Sequence, residues 1–243
     1  MFLKVVGLRW CVGWFALALA ACTSSSQSTL DSIRLAFKGD VNAAQFEPKN
    51  PAYQYLKVTV HGRPAFLVLG YSDPKEGQSP STEIWYSAKG EVLKLQGGRL
   101  VGALGLETEW RQAQVVGAPA WSEVLRSPQT PAWNYQRVRD EMPGYASNLT
   151  DRLTLTPITH AQARQRLGSV VEPLAKRSGV RWFEETGALG LPAAVYAVEG
   201  SATSPKVVFT YQCVAPQLCL VLEPWVPAPN RPPSQDTKDG RAS

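Results

Sequence analysis

Between Tyr55 and Leu106 the chain is a series of short alternating runs joined by glycine turns, and this pattern limits the fold more than any other feature. Tyr55, Lys57 and Thr59 alternate with Leu56, Val58 and Val60, the period of a strand with one buried face. His61-Gly62 follows as a turn. The chain returns over Pro64 to Tyr71 through Phe66-Leu67-Val68-Leu69, a run continuous enough to predict burial on both faces. After a loop over 72–82 rich in Asp, Pro, Gly and Ser come Ile84-Trp85-Tyr86-Ser87, a turn at Lys89-Gly90, and Glu91 to Leu95. A second turn at Gly97-Gly98 leads into Arg99 to Leu106, completing a three-stranded meander. Parallel strands need a crossover of about a dozen residues. Connections this short cannot house one, so pairing is antiparallel. The predicted class is mainly β, an antiparallel meander forming a β-barrel or a sandwich, with a short N-terminal helix and one minor helix near 159–167.

Beyond the meander, residues 117–131 carry Pro119, Pro128 and Pro131 and read as an irregular connection and a candidate domain seam. Trp133 to Asp140 and Asn148 to Thr156 alternate as strands, the second in an exposed sheet. A helix is expected over 159–167, after Pro157 and stopped by Gly168. Strands resume at Val180 to Phe183, Ala193 to Val198, Val207 to Tyr211 and Cys219 to Leu222. The mainly-β domain is thus placed at 30–223, and the Pro-rich, then charged tail at 224–243 is expected to be disordered.

The N-terminus reads as an address. Lys4 and Arg9 precede the apolar run Trp10 to Ala21, the order of a secretory signal over residues 1–21, and the run falls short of the about 20 residues that a spanning helix needs. It ends Leu19-Ala20-Ala21-Cys22, which resembles the lipobox of bacterial lipoproteins. That resemblance implies a diacylglycerol on the Cys22 thiol, cleavage before it and acylation of the freed amine. One acyl chain, at about 0.8 kcal/mol per buried CH₂, anchors only marginally, whereas two or three hold almost irreversibly. Ala18-Leu19-Ala20 also fits the ordinary signal peptidase, which would release a soluble protein. A cysteine directly after Leu-Ala-Ala, followed by a Ser/Thr tether over 22–29, favours lipidation. Thr23 stands where Asp favours retention at the inner membrane, so the same resemblance implies the outer membrane. Ser28 and Asp31 form a capping pattern before Leu30, Ile33 and Phe37, which share one face of a short helix ending at Gly39. Asp31, Arg34 and Lys38 make that helix a weak lipid binder, and packing on the domain is favoured.

Composition excludes two classes. With 44% hydrophobic and 19% charged residues the chain is not of the disordered type. Its formal charge of +5 includes Lys4 and Arg9 of the signal, and the remaining bases are interleaved with acids, so no nucleic-acid stripe forms.

Several segments together resemble the YjbF/GfcB family, the group 4 capsule and exopolysaccharide lipoproteins. They are Leu35-Ala36-Phe37-Lys38-Gly39, Tyr55-Leu56-Lys57-Val58, Leu67-Val68-Leu69-Gly70-Tyr71, and above all Trp85-Tyr86-Ser87-Ala88 with Gly98-Arg99-Leu100-Val101 and Gly105-Leu106. The resemblance covers residues 22–110; after Trp133 only a loose β pattern such as Tyr135 to Asp140 matches. It implies an outer-membrane lipoprotein on the periplasmic face, a non-enzymatic accessory in capsule or exopolysaccharide assembly or export, working beside an outer-membrane β-barrel partner and a polysaccharide. It implies no catalytic residue, metal or other cofactor. The alternatives are a polysaccharide-modifying enzyme and a structural envelope lipoprotein unrelated to polysaccharide.

Few residues suggest chemistry. Cys213 and Cys219 bracket a turn-like insert and, in an oxidising compartment, pair most simply as a disulfide. A metal site would have only His61 and His160 to complete it, and a redox pair would normally be C-x-x-C. Gly70-Tyr71-Ser72-Asp73-Pro74 begins like a nucleophile elbow and lacks its last glycine. Glu184-Glu185 would point to opposite faces of a strand and reads better as a solvated turn before Gly187. Trp85, Trp110 and Trp133 could stack on sugar rings or serve as packing. Arg99, Arg137, Arg139 and Arg152 could meet an acidic glycan or a partner, against the expectation that they sit on solvated sheet faces.

Overall fold

The computed structural model describes residues 50–74 and 80–227 of the 243. The signal, Cys22, the tether, the N-terminal helix and the tail from 228 lie outside the described residues. The strands are β1 (Tyr55–Val60), β2 (Arg63–Asp73), β3 (Thr82–Ser87), β4 (Val92–Gln96), β5 (Arg99–Leu104) and β6 (Glu109–Val116). They continue as β7 (Trp133–Met142), β8 (Ala146–Ile158), β9 (Arg181–Thr186), β10 (Ala194–Ser201), β11 (Ser204–Ala215) and β12 (Leu218–Trp225). Each pairs with its neighbour in sequence, and β12 returns to β1, so the sheet closes into a barrel. Closure leaves no unpaired strand edge. It also decides between the barrel and the sandwich that periodicity alone left open.

The predicted turns form for the predicted reason. His61 and Gly62 (φ 49° and 76°) and Gly97 and Gly98 (φ 57° and 78°) are two-residue hairpin loops whose positive φ angles match the twist of the strands they join. Alternation then sorts the side chains. Leu56, Val58 and Val60 on β1 face inward with Leu218, Leu220 and Leu222 on β12, while Lys57 meets Glu223 at 3.0 Å on the outer face.

Several elements differ from expectation. β6 lies beyond the predicted meander, its alternation broken by a bulge between Trp110 and Gln112. Within 117–131 the chain forms helix α1 (Trp121–Arg126), and because β6 and β7 pair directly the ring continues across this segment. In the run Phe66 to Leu69 only Leu67 is fully buried; Phe66 lies on the outer face, its ring 5.2 Å from that of Trp225. β12 runs to Trp225, past the expected domain end at 223, because Pro224 and Trp225 stand opposite Leu56 and Tyr55. β8 is not half of an exposed sheet: Asp151, Leu153 and Leu155 turn into the interior.

Helix α2 (His160–Leu167) starts at a capping box between Thr159 and Gln162 and ends at Gly168. A 3₁₀ turn (Gly168–Val171) and α3 (Glu172–Ala175), neither predicted, continue it. Ala163, Val171 and Leu174 of this segment cover Trp182, Val195, Ala197 and Phe209 on the outer wall of β9 to β11. Inside the barrel, one apolar cluster comes mainly from β1 to β6 and β12, and a second from α1 and β7 to β10.

Candidate functional site

Polar side chains that touch both interior clusters form a connected layer. Arg137 on β7 and Asp151 on β8 are directly opposite, and both point inward, 5% and 1% exposed. Asp151 Oδ2 accepts from Arg137 Nε at 2.9 Å and Nη2 at 2.8 Å, and from Arg139 Nε at 3.1 Å. Its Oδ1 accepts from the Leu189 backbone N–H at 2.8 Å. The chain reaches that position through Gly187, whose φ of +93° would place a Cβ only 2.1 Å from the Arg152 carbonyl oxygen. Only glycine fits such a close crossing.

Glu185 accepts from the Tyr135 hydroxyl, lies 3.1 Å from the Tyr196 hydroxyl, and has Arg137 Nη1 at 3.6 Å. Burial, and then the Glu185 carboxylate, raise both tyrosines above the usual phenol range, so both remain hydroxyl donors at neutral pH. Arg139 also pairs with Glu141. The indole of Trp110 lies under both guanidinium groups, at 4.5 Å and 5.1 Å, and donates its N–H across the barrel to the Val214 carbonyl at 3.0 Å. Gln212 completes the layer. It accepts from the Leu100 N–H at 2.8 Å and donates to the Gly98 carbonyl at 2.8 Å and to Thr210 Oγ1 at 2.9 Å. Buried charges persist only when paired and hydrogen-bonded in this way.

Arg99 differs from Arg137 and Arg139. It is 6% exposed, with its guanidinium carbon 4.4 Å from the Trp121 ring centre, 5.6 Å from Tyr135 and 6.0 Å from Tyr196. Its Nη2 reaches the Pro119 carbonyl at 3.4 Å, and its Nε has no hydrogen-bond partner. Among the described residues no carboxylate lies within 4.0 Å of it.

Arg99 lines a cavity of about 850 Å³ at one end of the barrel. Tyr55, Trp85 and Trp121 supply aromatic wall, and Glu83, Gln96, Thr210 and Lys206 supply polar groups. Burial raises the Glu83 carboxyl, partly offset by the Trp85 indole N–H at 3.2 Å. Pro51 and Tyr53, where the described chain begins, and Val226 and Pro227, where it ends, line the same mouth.

The residues singled out in the sequence divide accordingly. Trp85 and Arg99 meet at the cavity; Trp110, Arg137 and Arg139 belong to the ion-pair layer; Trp133 stands apart, half-buried on the wall of a smaller cavity beside α2. Arg99, Arg137 and Arg139 are interior rather than on solvated faces, whereas Arg152 is exposed. Glu184-Glu185 is not a solvated turn: β9 carries both, Glu185 facing the tyrosines and Glu184 facing outward to Arg166 at 2.7 Å. His61 lies in the β1–β2 turn and His160 at the start of α2. A disulfide joins Cys213 to Cys219 across the β11–β12 hairpin. Asp151, Tyr135, Tyr196, Gln212 and Trp121 belong to the site without any motif in the sequence that marks them for it. Parity was the available signal for Asp151, since it falls in phase with the buried Leu153 and Leu155.

No protein-family model matches the chain, and no curated protein matches it. Among solved structures, the hypothetical lipoprotein YmcC from Escherichia coli (K12) aligns at 16% identity with a TM-score of 0.46, over 85% of this chain and 100% of that one.

Proposed function

We propose that the protein is a lipoprotein anchored through Cys22 to the outer membrane, on its periplasmic face. There it acts by binding, as a non-enzymatic accessory to the assembly or export of a capsule or exopolysaccharide. The observation that carries this reading is the position of the chain's entry: Pro51 and Tyr53 line the mouth of the large cavity. A lipid on Cys22 would therefore hold the barrel with its open end toward the bilayer. An open cavity facing the bilayer suits a protein that meets a glycan, or the membrane protein that conducts it, at the membrane surface. The order of motifs behind the lipobox supports the link to surface polysaccharide.

Purification of the tagged full-length protein from detergent-solubilised membranes, with mass spectrometry and sugar analysis of what accompanies it, tests the reading. An outer-membrane β-barrel protein or a glycan is expected. Recovery of neither would overturn it.

A further inference from the structure

We propose that the mouth cavity is an anion-binding site anchored by Arg99 and, resting on the function proposed above, that its ligand is a carboxylate-bearing sugar unit of a polysaccharide. The charge pattern of the interior comes first. Arg137 and Arg139 each contact carboxylates, at Asp151, Glu185 and Glu141. Arg99, almost as deeply buried, contacts none, and its Nε is unpartnered. Stacking against Trp121 offsets part of the cost of burying the cation. A ring face over the guanidinium cannot accept the hydrogen bonds at its edge. Buried cations are ordinarily paired, and here the missing partner is an anion.

The cavity supplies room for one. Its volume of about 850 Å³ lies within the range of small-ligand sites. Arg99 Nη2 reaches the Pro119 carbonyl at 3.4 Å, and the guanidinium also hydrogen-bonds the Tyr135 hydroxyl, so both of its partners are neutral. A neutral contact of that length is readily exchanged for a shorter, charge-assisted bond to a carboxylate.

The wall chemistry favours a sugar. Tyr55 and Trp85 offer rings for the apolar face of a pyranose, and Gln96, Thr210 and Lys206 are placed around the wall to meet hydroxyl groups. An acyl chain in the same space would bury Arg99 against hydrocarbon without supplying the acceptor that its Nε lacks.

Titration of the detergent-solubilised full-length protein, read by tryptophan fluorescence and by thermal shift, tests the site. The probes are trigalacturonate, neutral maltotriose and dihexanoyl phosphatidate. Trigalacturonate is expected to bind saturably and raise the Tm, with maltotriose at least tenfold weaker. Arg99→Met should weaken trigalacturonate at least tenfold. Glu83→Gln, which removes an acid from the same wall without touching Arg99, should tighten it severalfold and keeps the test open if the Arg99 variant does not fold. Absence of saturable trigalacturonate binding, equal binding of maltotriose, or an unchanged affinity in Arg99→Met would overturn the anion site. Tighter binding of phosphatidate than of trigalacturonate would overturn the sugar assignment. The two proposals fail separately: a barrel partner can be recovered from membranes although trigalacturonate does not bind, and trigalacturonate can bind although no partner or glycan is recovered.

Discussion

Arg137 and Asp151 face each other across β7 and β8, and two N–H groups of the guanidinium converge on one carboxylate oxygen at 2.9 Å and 2.8 Å. Arg139 adds a third contact to that oxygen at 3.1 Å. Asp151→Asn would leave two interior guanidinium groups short of charge. Loss of one member of a buried ion pair costs about 3–5 kcal/mol, and a fall of that size is expected in the unfolding free energy from urea titration. Arg152→Ala, one residue on but on the outer face, should change it by less than about 0.5 kcal/mol. Equal effects at the two positions would contradict the interior placement.

The raised ionisation of Tyr135 and Tyr196 predicts weakness in alkali. In the unfolded chain both phenols lose their protons near pH 10, while in the barrel they keep them, so the folded state binds more protons and stability falls as pH rises through that region. Each group contributes a slope of up to about 1.4 kcal/mol per pH unit. Unfolding free energy measured from pH 8.5 to 11 should drop more steeply in the wild type than in Tyr135→Phe. Identical slopes would show that this hydroxyl titrates as it does in the unfolded chain.

The disulfide closes a short hairpin. In the loop-entropy model a bridge between Cys213 and Cys219, six residues apart, stabilises by about 2 kcal/mol. Replacing both cysteines by serine is expected to lower the unfolding free energy by about that amount while leaving the far-ultraviolet circular dichroism unchanged, because the hairpin register also rests on Thr210↔Leu222 and Gln212↔Leu220. A drop below about 0.5 kcal/mol would mean that the unfolded chain gains nothing from the cut.

Local physics made much of the fold legible. His61-Gly62 and Gly97-Gly98 announce hairpins because few other residues tolerate their φ angles, and Thr159 to Gln162 starts a helix through its own side-chain hydrogen bonds. Ring closure has no such local sign, since Tyr55↔Trp225 joins residues from opposite ends of the domain. β6 escaped notice because its bulge breaks the alternation on which strand reading depends. The interior position of the arginines is hidden for another reason. Periodicity shows that Arg137 and Arg139 share a face with Tyr135, but a charged residue is normally assigned to solvent unless its buried partners are known. Asp151 and Glu185, which draw them inward, lie on other strands.

Anchoring of the barrel at a membrane through Cys22 is tested most directly by gradient flotation of salt-washed envelopes, comparing the wild type with Cys22→Ala. The wild type should float with the outer-membrane fraction and yield an N-terminal peptide whose mass carries acyl chains on Cys22, while Cys22→Ala stays in the soluble load. A Cys22→Ala protein that floats as the wild type does would contradict the lipid anchor.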